Sequence, residues 1–135
     1  MKTFSYSRGL LAAFVGVALA GNATIARADI KDYEFQLVEP SVKPGDERMI
    51  AVRLVNKTTG KPVPDAVIFA TRLDMEPDAM KEMTTEVTPM PGTEPGTYRF
   101  KASLSMEGRW QLSLGAKVQG ETGTVVNKLV LEAAP

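Results

Sequence analysis

Thr97-Tyr98-Arg99-Phe100-Lys101-Ala102-Ser103-Leu104 alternates cleanly along its length, with Tyr98, Phe100, Ala102 and Leu104 on one face and Arg99 and Lys101 on the other. A period of two residues is that of a β-strand with one buried side. Ser105-Met106-Glu107-Gly108 turns the chain, and Arg109-Trp110-Gln111-Leu112-Ser113-Leu114 then alternates in the same way with Trp110, Leu112 and Leu114 inward. Trp110 and Tyr98 are therefore expected in the core.

The same period recurs on both sides of this pair. Upstream, Tyr33 to Val38 alternates, and Met49 to Val55 places Ile50, Val52 and Leu54 on one face. Between them, Pro40 and Lys43-Pro44-Gly45-Asp46 read as a turn. Asn56-Lys57-Thr58-Thr59-Gly60 closes the second strand, and Lys61 to Asp65 is held extended by Pro62 and Pro64. Ala66 to Leu73, rich in β-formers, reads as the most buried strand of the chain. Thr84 to Thr88 reads as a short edge strand, Pro89 to Gly96 as irregular because of its prolines and glycines, and Val125 to Leu131 as the last strand, after the Gln119-to-Gly123 turn. Short strands at regular spacing, with no long helical period, predict an all-β fold: one immunoglobulin-like antiparallel two-sheet sandwich of about seven strands. The disulfide of true immunoglobulin domains is absent because the chain has no cysteine.

The N-terminus has the features of an export signal. Lys2 and Arg8 precede an apolar run from Gly9 to Ala20, and Ala26-Arg27-Ala28 is a small-x-small cleavage site. The run is shorter than the roughly 20 residues needed to cross a bilayer. The expected organisation is a signal peptide over 1–28, cleaved after Ala28, and one domain over 29–135 in the periplasm, with no membrane insertion after cleavage. Of the 135 residues, 107 then remain, enough for a single core. The whole chain has 16 basic and 16 acidic residues, and losing Lys2, Arg8 and Arg27 leaves 13 against 16, a net charge of −3. A mildly acidic domain is a poor ligand for nucleic acid or anionic lipid.

Histidine and cysteine are both absent. The usual serine and cysteine nucleophile pairs cannot be built without them, and no phosphate-binding glycine motif is present, so the protein reads as a non-enzyme. What stands out instead is Leu73-Asp74-Met75-Glu76-Pro77-Asp78-Ala79-Met80-Lys81-Glu82-Met83, which lacks aromatic and β-branched residues and reads as a connecting loop. Thioether sulfur is a soft ligand suited to Cu(I). Asp78 can cap a helical turn from which Met80 and Met83, at i and i+3, project together, and Met75 lies close by. Met106, in the turn before Gly108, supplies a fourth sulfur if the two turns share one end of the sandwich, and Met90 is a further candidate. The bland alternative is that these flexible side chains plug the open end of the sandwich. A calcium loop does not fit, because Ala79 stands where glycine is needed and Thr85 where a bidentate glutamate is needed.

Gly60-Lys61-Pro62-Val63-Pro64-Asp65-Ala66-Val67, the methionine-bearing segment, Pro95-Gly96-Thr97-Tyr98 and Met106-Glu107-Gly108-Arg109-Trp110-Gln111-Leu112 together resemble the YtkA-like (FixH-like) exported domains over roughly residues 33–118. The resemblance implies an immunoglobulin-like fold in the bacterial envelope and an association with copper handling or with metal efflux and assembly proteins. By position it carries metal binding onto Met75, Met80, Met83 and Met106. The expected function is thus a periplasmic accessory protein that binds or transfers Cu(I), with Ag(I) as a surrogate. The alternative is an envelope protein–protein interaction or assembly module that binds no metal.

Overall fold

The computed structural model describes residues 29–135; the expected signal peptide lies outside the described residues. Nine strands follow a short 3-10 turn at Ile30–Asp32: β1 (Tyr33–Leu37), β2 (Ser41–Val42), β3 (Gly45–Asn56), β4 (Val67–Met75), β5 (Met80–Thr85), β6 (Thr88–Met90), β7 (Thr97–Leu104), β8 (Gly108–Lys117) and β9 (Val125–Ala133). They form two sheets, β1-β3-β7-β6 and β2-β9-β8-β4-β5, stacked as an immunoglobulin-like sandwich. Every pairing is antiparallel except that of β2 with β9, which is parallel. Among the described residues no helix is long and apolar enough to cross a membrane.

The alternating faces meet in one core. Ile50, Val52 and Leu54 from β3, and Phe100, Ala102 and Leu104 from β7, oppose Leu73, Trp110, Leu112 and Leu114 from the other sheet. Trp110 is fully enclosed and its indole Nε1–H donates to the Met106 carbonyl at 3.2 Å, so the polar edge of the ring is satisfied where the chain turns. Tyr98 meets Phe35 edge-on at 6.3 Å between ring centroids. Its hydroxyl donates to the Val63 carbonyl at 2.6 Å and accepts from the Ala66 amide at 3.1 Å, tying the proline-rich approach to β4 onto the core.

Three departures from the sequence reading have local physical causes. The strand count rises because the two-residue β2 carries no readable period and because the 84–88 and 89–96 segments divide differently: β5 ends at Thr85, and β6 includes Pro89. Proline is tolerated there because β6 is the last strand of its sheet, with β7 on one side only. The expected loop from Leu73 to Met83 is a hairpin arm, with only Glu76 to Ala79 turning between β4 and β5. Finally, β4 is not the most buried strand. Val67, Phe69, Ala70, Thr71 and Arg72 are exposed, and burial begins at Leu73, because β5 pairs with β4 only at Leu73, Asp74 and Met75 and leaves the rest as an edge.

Candidate functional site

The methionines cluster around the β4–β5 connection by a route other than the expected helical turn. β4 continues through Met75, Glu76–Asp78 forms a 3-10 turn with Pro77 inside it, and Ala79 takes a left-handed conformation that sends the chain back. Met80 and Met83 then lie on strand β5. Positions three apart on a regular strand face opposite sides, but the β4–β5 register is broken between Asp74 and Met75. Asp74 stands opposite Thr84 while Met75 stands opposite Met80. Both Met80 and Met83 consequently pack against the core, half-buried.

Met75 itself is completely buried. Met75 and Met80 are cross-strand partners at the register break. The methyl end of Met75 reaches the first residue of β8: a Cβ built on Gly108 would sit 2.5 Å from Met75 Cε and 2.7 Å from Asp78 Oδ2. Gly108 has φ of +138°, so glycine is required there by conformation as well as by space. Met106 lies two residues before Gly108 and is exposed. The structure thus gathers Met75, Met80 and Met83 at one end of β4, and brings the Met106 turn alongside. Met90 is elsewhere, on β6 of the other sheet, lining a cleft with Ile68 and Phe69 from the opposite end of β4.

Two carboxylates fix this end of the sandwich, Asp78 in a role other than the one expected of it. Asp78 does not cap a helical turn; its Oδ2 accepts from the Arg109 amide and its Oδ1 from Arg109 Nε, each at 2.8 Å. Arg109 also donates to the Pro77 carbonyl at 2.8 Å. These bonds, the backbone one first, hold the Asp78 carboxyl below its ordinary range. Asp74 is buried and bridges Arg72 Nε at 2.6 Å and the Glu76 amide at 3.0 Å, which starts the 3-10 turn. Sequence reading missed Arg109 and the bridge between Arg72 and Asp74. The signal for Arg109 was its place just after Gly108, where a strand start next to an acidic turn offers both an amide and a guanidinium.

Chemically, the site offers neutral soft donors among exposed carboxylates. Among the described residues no group of three or more His, Cys, Asp or Glu side chains is arranged to hold a metal ion. Asp74 and Asp78 are committed to Arg72 and Arg109. Glu76, Glu82 and Glu107 are exposed carboxylates at the same end, and the thioethers beside them suit a soft monovalent cation.

A sequence profile described as YtkA-like matches residues 27–115, more than half of the chain. The chain belongs to the YtkA-like family. In this family member the matched region ends within β8, so it contains the methionine hairpin, Met106 and Gly108. Among curated proteins no match is found. Among solved structures, the Lin-41 filamin domain aligns at 19% identity and TM-score 0.46, covering 80% of this chain and 95% of its own. The ZirS C-terminal domain aligns at 14% identity and TM-score 0.46, covering 83% and 73% respectively.

Proposed function

We propose that this YtkA-like domain is a non-catalytic, periplasmic Cu(I)-binding protein that passes the ion between envelope proteins of copper handling or efflux. The ligands in this reading are Met75, Met80, Met83 and Met106, with Ag(I) as a chemical surrogate. The observation that carries it is the Met75–Met80 cross-strand pair, with the Met75 methyl end against Gly108 beside the Met106 turn. Thioethers bind without losing a proton, and a site with few neutral ligands suits transfer better than storage. Export follows from the N-terminal pattern of Lys2, Arg8, the apolar run and Ala26-Arg27-Ala28. Mass spectrometry under native conditions after Cu(I) titration tests the reading: one ion retained per chain supports it, and a spectrum with no retained copper removes it.

A second reading is favoured by the complete burial of Met75 and by the packing of Met80 and Met83 on the core. These are the contacts of methionines that fill the end of a sandwich. In that case the protein binds an envelope partner and no metal, and the exposed Met106 with the half-buried Met80 and Met83 forms an adaptable contact patch.

A further inference from the structure

The unpaired part of β4, Val67 to Arg72, is an edge of unusual composition. Edge strands in monomeric proteins are ordinarily short, charged or covered. Here β8 pairs with one side of β4, and β5 reaches only Leu73, Asp74 and Met75 on the other. Val67 and Phe69 are 59% and 57% exposed on that edge, and Val126 of β9, 66% exposed, stands opposite Gly115, over which the Phe69 ring lies. The edge therefore continues into an apolar strip on the outer face of the sheet.

The register of β4 on β8 gives each edge residue a face. Val67 stands opposite the exposed Lys117, and Arg72 opposite Ser113, so both point outward. Ile68 stands opposite Ala116 and Thr71 opposite Leu114, two core residues, so both lie on the inner face, Ile68 half-buried and Thr71 exposed beside the cleft that Met90 lines. Phe69 is the extra residue of a bulge between Ile68 and Ala70, and both Phe69 and Ala70 lie over the outward position of Gly115, 3.3–3.4 Å from where its Cβ would be. From Val67 to Arg72 the order is out, in, out, out, in, out, which reads the same from either end. A bulge ordinarily spoils an edge for pairing. At the centre of this segment it has the opposite effect, because it makes the edge its own complement.

We propose that the Val67–Arg72 edge of β4 is the interface of a symmetric homodimer, in which two copies pair antiparallel about a two-fold axis between Phe69 and Ala70. Val67 then faces Arg72 of the second copy, Ile68 faces Thr71, and Phe69 faces Ala70, every pair matching outward with outward and inward with inward. The paired segment ends where it must on each side: β5 occupies the position beside Leu73, and the Pro64–Asp65 turn leads the second chain away. The two Val67-Phe69-Val126 strips join into one apolar band across the axis. This interface uses none of the four proposed metal ligands, so it stands or falls apart from copper binding.

Sedimentation of the purified protein over a wide concentration range, with two sets of variants, tests the assignment. The wild type is expected to shift from monomer to twice the monomer mass as concentration rises, and Val67→Lys/Phe69→Lys to remain monomeric at every concentration. Because the chain has no cysteine, Ala70→Cys introduces a single thiol next to the axis. It is expected to form a disulfide-linked dimer at least about tenfold faster than Val130→Cys, which lies exposed on β9 away from the axis, since bridging requires Cα atoms within about 7 Å. A wild type that is monomeric throughout overturns the proposal, as does a dimer that survives the lysine pair or links no faster through position 70. A monomer whose β4 edge amides gain exchange protection only when an extended peptide of different sequence is added also overturns it, and assigns the edge to another protein.

Discussion

Asp78 and Arg109 are joined by backbone and side chain at once: one carboxylate oxygen takes the Arg109 amide and the other its Nε, both at 2.8 Å. This pair of hydrogen bonds from strand to turn ties the Glu76–Asp78 turn to Arg109 at the start of β8, beside Met75 and two residues beyond the Met106 turn's Glu107. The same bonds hold the Asp78 carboxyl below its ordinary range.

Acid should loosen that tie in a definite window. The folded-state pKa of Asp78 lies below its ordinary value of 3.8, mainly because of the Arg109 amide and then its side chain. A depressed carboxylate contributes stability that is fully present above the unfolded value and is lost as pH falls through the folded one. Melting temperature measured from pH 6 to pH 2 should therefore fall below about pH 4, and Asp78→Asn should start lower at pH 6 and show a shallower fall.

Gly108→Ala should disturb both halves of the site. The added methyl must displace Met75 Cε and Asp78 Oδ2, and it is placed on a backbone of φ +138° that alanine adopts only with strain. Overpacking of this kind costs about 1–3 kcal/mol, to be read from denaturant midpoints. In the copper account the variant also loses Cu(I) affinity, whereas a surface change such as Gly120→Ala does not move that affinity.

Tyr98→Phe should cost about 1–3 kcal/mol, because it leaves the Val63 carbonyl and the Ala66 amide without their partner. Burial is the main cause that lifts the Tyr98 hydroxyl above its ordinary 10.0, with the Ala66 hydrogen bond opposing and the Asp65 charge adding. A raised pKa means that this stability is present below pH 10 and is lost as pH climbs past it. An alkaline melt of wild type against Tyr98→Phe checks the sign.

Met75→Ala and Met75→Leu separate packing from sulfur. The side chain is completely buried, so alanine should cost about 2–5 kcal/mol while leucine, close in volume, should cost less than about 1.5 kcal/mol. Urea titration of the two variants measures the difference.

Most of the fold was legible in the alternation of β3, β7 and β8, since a period of two survives wherever one face is buried and the other wet. What the sequence concealed were features that depend on neighbours. Leu73 to Met83 lacks β-formers, yet its ends become strand because Asp74 is neutralised by Arg72 and starts the turn through the Glu76 amide. Phe69 belongs to an apolar run that reads as core, but burial depends on β5 stopping at Leu73, which no local pattern records. The grouping of Met75, Met80 and Met83 was visible as composition. The means of grouping was not, because a register break that turns Met80 and Met83 to one side leaves no periodic trace.

The central claim is that these thioethers bind Cu(I), and it is tested most directly by competition titration against a chromophoric Cu(I) chelator, with wild type beside the isosteric Met75→Leu/Met80→Leu/Met83→Leu triple variant. Leucine keeps the volume of the buried cluster, so a folded comparison is expected. The account predicts that wild type withdraws one equivalent of Cu(I) with an affinity nearly flat from about pH 7 to pH 5, and that the triple variant withdraws far less. Wild type that leaves the chelator fully loaded, or a triple variant with undiminished affinity, contradicts it.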